Sequence, residues 1–118
     1  MDKDLSKRLF DFGLGLIKMC RALDKSIGNN VISHQLIRSS TSLGANYEEA
    51  QSASSRADFK NKINIALREM REANYWLRIL SELDGHQNKI KLLISESEEL
   101  KKILGSISSK VALNKQPL

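Results

Sequence analysis

The chain has 118 residues with one proline, one cysteine and six glycines, and 41% of it is hydrophobic but only 5% aromatic. Those proportions exclude a disulfide framework and a cysteine-built zinc site, and they favour one helical domain over a strand-rich sandwich. The formal net charge is +5, a moderate basic bias that nucleic-acid binders of this size often share but that, on charge alone, more often serves only solubility.

Leu5, Leu9, Phe12, Leu16, Met19 and Leu23 step by four and three, which draws one apolar line on a helix predicted over 4–26, with Gly28 as its stop. Phe10, Leu14 and Ile17 form a second line on nearly the opposite face. A helix in one small bundle needs a single apolar face, so this second line points to contact between subunits. Gly13 and Gly15 each cost about 1 kcal/mol against alanine inside a helix. A closely approaching backbone or a local kink would account for them.

The second helix is predicted over 31–52. Leu36, Leu43 and Ala50 share its core line, with Ser39, Ser40, Asn46 and Tyr47 between them; any of these that are buried need hydrogen-bond partners. Ser55-Arg56-Ala57-Asp58 has the layout of a capping box, with Asp in place of Glu or Gln. It opens a third helix predicted over 55–83, on which Phe59, Ile63, Ala66, Met70, Ala73, Leu77 and Leu80 alternate by four and three. Ile65, Trp76 and Leu83 flank that line, again exceeding what one core needs. Asp84-Gly85 ends this helix. Ile90, Leu93, Ser97, Leu100, Leu104, Ile107 and Val111 carry a fourth helix over 87–112, followed by a frayed tail over 113–118. Joined by short links, these elements predict an all-α, antiparallel up-down-up-down four-helix bundle in a single domain.

No stretch approaches the roughly 20 apolar residues that span a bilayer, so no membrane partner is expected. Asp2, Asp4 and Asp11 interrupt the start, which does not read as a signal peptide, and the lone Cys20 fits a reducing cytoplasm.

A di-metal site in a bundle requires paired Glu-x-x-His motifs. Glu69-Met70-Arg71-Glu72 has the spacing without the histidine, and His34 and His86 fall near predicted helix ends. No nucleophile elbow or phosphate-cradling loop is present, so neither a catalytic residue nor a metal or other cofactor is expected. Glu48, Glu49, Glu69 and Glu72 read either as solvated acids or as members of a structural polar network. In that network Arg38, beside Asn46, would pair with Glu49 or Glu72. Arg56 to Leu80 carries six basic residues, Lys60, Lys62, Arg68, Arg71 and Arg78 among them, against three acids. This is a solvated face or a phosphate-binding surface that acts by charge. Tyr75 and Trp76 could stack on bases, but anchoring at an interface is the expected role.

Gln35-Leu36-Ile37-Arg38-Ser39-Ser40, then Ser42 through Ala50 and Ser54 to Phe59, resembles the bacterial four helix bundle protein family, encoded by intervening sequences of large-subunit ribosomal RNA genes. Lys62 to Leu77 matches that family's third helix, and the resemblance covers nearly the whole chain. The commonest family pattern has glycine where Ala50 stands. The resemblance implies an antiparallel bundle that assembles into a ring, typically a homopentamer. It extends to the accessory variability protein of diversity-generating retroelements, which associates with a reverse transcriptase and nucleic acid. The family supplies no catalytic residues.

Together these readings predict a non-enzymatic homo-oligomer that binds RNA, DNA or a ribonucleoprotein partner through Lys60, Lys62, Arg68, Arg71 and Arg78. Phe10, Leu14, Ile17, Ile65 and Trp76 would lie at subunit interfaces. A protein-binding adaptor with no nucleic-acid role is the alternative.

Overall fold

A computed structural model of the chain describes residues 2–83 and 88–114, and their side chains from 4 to 83 and from 88 to 111. The described residues form four α-helices and no strand: α1 (Asp2–Ala22), α2 (Ile27–Gln51), α3 (Arg56–Leu83) and α4 (Asn88–Asn114).

The first connection departs from the sequence expectation. α1 stops at Ala22 rather than near 26, and Leu23 tightens its last turn by donating its amide to the Cys20 carbonyl at 3.2 Å. Ser26 is the extended N-cap of α2, and its Oγ accepts the Asn29 amide at 3.0 Å. The Asn29 side chain also donates back to the Asp24 carbonyl at 2.8 Å. Gly28 is therefore inside the first turn of α2, not a stop signal, and it has no positive φ. A serine hydroxyl that satisfies an orphan amide outweighs a glycine's reluctance to be helical.

The capping box before α3 forms in a shifted version. Ser55 Oγ accepts the Asp58 amide at 3.0 Å, while the shorter Asp58 carboxylate reaches the Ser54 amide at 3.2 Å. At the other end of the chain α4 runs on to Asn114, so Leu113 and Asn114 belong to a helix where a tail was expected. The predicted stop Asp84-Gly85, His86, the start at 87 and the rest of the tail, 115–118, lie outside the described residues.

Each helix packs against its chain neighbours and α1 closes against α4, the α2–α3 seam being the most extensive and α1–α4 the least. Partners run in opposite senses along the α2–α3 and α3–α4 seams. Arg38 meets Glu69 and Glu72 while Glu49 meets Lys62; Asn64 meets Ser108 while Asn74 meets Ser97. The bundle is thus antiparallel. The heptad lines read from the sequence fill its interior: Leu9, Leu16, Leu36, Leu43, Ile63, Met70, Leu77, Leu80, Ile90 and Leu100 are all nearly inaccessible. Each such side chain is worth about 1.5–3 kcal/mol of transfer free energy. Phe59, Ile107 and Val111, at the ends of those lines, are only partly buried.

Among the described residues, four buried polar residues interrupt this core, Ser39, Ser40, Asn74 and Ser97. Ser39 Oγ donates to the Gln35 carbonyl at 2.8 Å, and Asn74 Nδ2 donates to Ser97 Oγ at 2.8 Å and Glu98 at 2.9 Å. Among the described residues, no buried side-chain nitrogen or oxygen lacks a partner. Asn74 therefore ties α3 to α4 at no cost in unmet hydrogen bonds. Arg8 of α1 does the corresponding work across the weakest seam, holding Glu96 through two bonds at 2.8 and 3.0 Å and also Glu99.

The glycines of α1 are not demanded by packing within the chain. A Cβ at Gly13 would meet the Ser40 carbonyl oxygen at 3.7 Å and one at Gly15 would meet Leu93 at 3.9 Å, both ordinary contacts.

Replacing Leu36, which is fully buried, by alanine is expected to lower unfolding free energy by about 2–5 kcal/mol in urea titrations. The same change at exposed Leu92 should stay within about 0.5 kcal/mol.

Candidate nucleic-acid interface

Burial of one line of α3 dictates where its charges point. At roughly 100° per residue, Lys60, Arg68, Arg71, Tyr75 and Arg78 fall within an arc of about 80° on the side opposite the core. Arg68, Arg71, Tyr75 and Arg78 are exposed and Lys60 is partly so. Among the described residues, no side chain hydrogen-bonds or ion-pairs with Arg68 or Arg71. Arg78 donates from Nε to Asn74 Oδ1 at 2.9 Å, and its guanidinium carbon lies 5.8 Å from the Tyr75 ring centroid. Glu82 is the acid on the same face, near its C-terminal end.

Lys62 is not on this face. It points to α2 and pairs with Glu49 at 2.8 Å, which raises its pKa. Its charge is neutralised locally, so the expected cationic set loses one member. Position 62 lies more than 100° around the helix from the Arg68–Arg71 stripe, which the count of charges alone did not register.

A polar frame lies along the α2–α3 seam. Arg38 Nη1 meets Glu69 at 3.3 Å, Nη2 binds Glu72, and Nε donates to Gln35 Oε1 at 3.2 Å. Ser42 Oγ donates to Glu69 at 3.3 Å, and Asn46 Nδ2 to the Ser42 carbonyl at 2.9 Å. Trp76 donates its indole N–H to Glu72 Oε2 at 3.1 Å. Of the two pairings open to Arg38, the one with Glu72 forms; Glu49 is turned to Lys62 instead. Ser42 and Trp76 are members that the residue pattern did not single out. The Arg38 guanidinium, and after it the Trp76 indole, holds the Glu72 carboxyl below its ordinary pKa.

The expected interface residues divide between two places. Phe10 is 70% exposed and Leu14 42%. With half-buried Ile17 they edge an apolar groove of about 300 Å³ between α1 and α2, floored by Gly13, Ser40 and Gly44. Ile65 and Trp76 instead lie half-buried on the flank of α3 that faces α2, Trp76 packing against the core. Tyr75, grouped with Trp76 as an anchor from sequence, is 48% exposed on the cationic face. Among the described residues, no group of three or more His, Cys, Asp or Glu comes together to hold a metal ion. No described helix is long and apolar enough to cross a membrane.

The sequence profile described as 23S rRNA-intervening sequence protein matches residues 1–106. Among solved structures, a protein of unknown function from the S23 ribosomal protein family of Bacteroides thetaiotaomicron is 33% identical, with a TM-score of 0.77. The match covers 88% of this chain and 97% of that one. No curated protein sequence matches.

The frame makes stability depend on pH with a defined sign. Glu72 has a folded pKa below its unfolded one, so its bonds stabilise above the ordinary carboxylate range and are lost as pH falls through the lowered value. Arg38→Met is expected to cost up to about 1 kcal/mol at neutral pH, since both partners are partly exposed. In denaturation curves that difference should fade as pH falls below the ordinary carboxylate range.

Proposed function

The chain belongs to the 23S rRNA-intervening sequence protein family, and on that footing we propose that it is a non-enzymatic, homo-oligomeric helical bundle that binds RNA or a ribonucleoprotein partner. The binding surface is the outward face of α3, with Arg68 and Arg71 at its centre and Lys60 and Arg78 beside them. One observation carries this assignment. Arg8, Arg38 and Lys62 are occupied by carboxylates on neighbouring helices, whereas Arg68 and Arg71 are exposed with no such partner among the described residues. Unpaired guanidinium groups on a rigid helix contact phosphates through counterion release, which gives affinity with little sequence preference. The family's description, which names a 23S rRNA intervening sequence, supports an RNA-linked role.

Self-association is part of the proposal. The exposed Phe10 and Leu14 beside the groove between α1 and α2 supply an apolar patch that the chain itself leaves uncovered. A ring of copies, a pentamer in the implied form, would repeat the cationic face around its rim and multiply the +5 charge of each chain. The same patch favours the second reading, a protein-binding adaptor without a nucleic-acid role, whose partner capture would be insensitive to salt.

The double substitution Arg68→Glu, Arg71→Glu is expected to weaken RNA binding at least tenfold in fluorescence anisotropy and to reduce the salt slope by about 2, with circular dichroism unchanged. Unaltered affinity would refute this surface. Phe10→Asp is expected to lower the particle mass in light scattering; an unchanged mass would move the subunit contact elsewhere.

A further inference from the structure

Tyr75 interrupts the cationic stripe between Arg71 and Arg78, and 48% of it is exposed. The other aromatic residues of α3, Phe59 and Trp76, are packed against the core. A large ring on a helix face otherwise made of charged and polar side chains has no role in the core.

The ring is also held in place. Trp76 meets it edge-on, with centroids 5.1 Å apart and planes at 73°. Trp76 is fixed by its bond to Glu72, and Glu72 by Arg38 of α2. Tyr75 is thus oriented from the neighbouring helix through three side chains. The Arg78 guanidinium carbon lies over the ring, 5.8 Å from its centroid and within the roughly 6 Å of a cation–π contact. The ring is still half exposed, and a base would stack on the part that Arg78 leaves open.

We propose that Tyr75 is a stacking platform for an unpaired base of single-stranded RNA, with Arg71 and Arg78 on the phosphates to either side. The inference rests on the RNA-binding reading above and specifies its ligand. A convex helix face cannot insert a ring into the closed base stack of an A-form duplex, whose deep major groove side chains do not read. Single strands turn their bases outward and stack them on exposed aromatic rings, with arginines alongside for the backbone.

The test uses the full chain and three labelled probes of equal length: a single-stranded RNA of about 12 nucleotides, its abasic ribose-phosphate counterpart, and a hairpin duplex. Tyr75→Ala is expected to weaken the single strand roughly 5- to 100-fold and to leave the abasic chain and the duplex unchanged. Tyr75→Phe, which keeps the ring, should stay within about twofold of the parent. Trp76, the chain's one tryptophan, should change emission on binding the single strand but not the abasic chain. Equal losses on the single strand and the abasic chain, or no loss on either, would overturn the stacking role. If Arg68→Glu, Arg71→Glu weakens every probe while Tyr75→Ala weakens none, stacking fails and the charge-based reading stands. If the charge reversal weakens none, the RNA reading itself fails.

Discussion

Fixing the buried line of α3 fixes most of what the molecule presents to its surroundings. Ile63, Ala66, Met70, Ala73, Leu77 and Leu80 are wholly inaccessible between α2 and α4. Turning the helix by a single residue, about 100°, would bring Glu69 and Glu72 towards the interior and expose part of this line. With that rotation excluded, each remaining direction has an assigned purpose. Glu69, Glu72 and Trp76 face α2, Asn74 faces α4, and Arg68, Arg71 and Tyr75 are left outside. The cationic face is therefore a consequence of core packing rather than an independently built feature.

Charge is then sorted by pairing. Exposed ion pairs contribute little to stability, a few tenths to about 1 kcal/mol each. The α2–α3 frame matters more for what it orients and neutralises. Lys62 and Arg38, which could have spread positive charge over the α2–α3 seam, are matched there by Glu49, Glu69 and Glu72. The frame thereby leaves Arg68 and Arg71 as unmatched charges on the outer face of α3, and through Trp76 it also borders the Tyr75 ring. Arg8 similarly binds Glu96 and Glu99 and closes α1 against α4 with no cationic surplus.

The fold was legible because its signal is long and redundant. Four-and-three spacing sustained over α1, α3 and α4 identifies nearly every core side chain of those three helices, and polar interruptions such as Ser97 do not break it. Local ends were harder to read, because they depend on single hydrogen bonds. Ser26 caps α2 where Gly28 had suggested a stop, and nothing in the periodicity separates the two. Of the polar network, Arg38 was readable as a partner of Glu49 or Glu72. That it bonds Glu72 and Glu69 while Glu49 turns to Lys62 depends on the register of α2 against α3, a tertiary quantity. Helix geometry, which a count of charges ignores, removed Lys62 from the cationic set and split Tyr75 from Trp76, adjacent in sequence but about 100° apart around the helix.

The central claim, that the outward face of α3 contacts RNA, is tested most directly by chemical footprinting of arginines. Phenylglyoxal modification read by mass spectrometry would compare the free protein with its RNA complex. Arg68, Arg71 and Arg78 should become protected at low salt and lose that protection at high salt, while Arg8 and Arg38, already held by carboxylates, should change little. Protection confined to other helices, or unchanged reactivity along α3 in a complex that demonstrably holds RNA, would contradict the account.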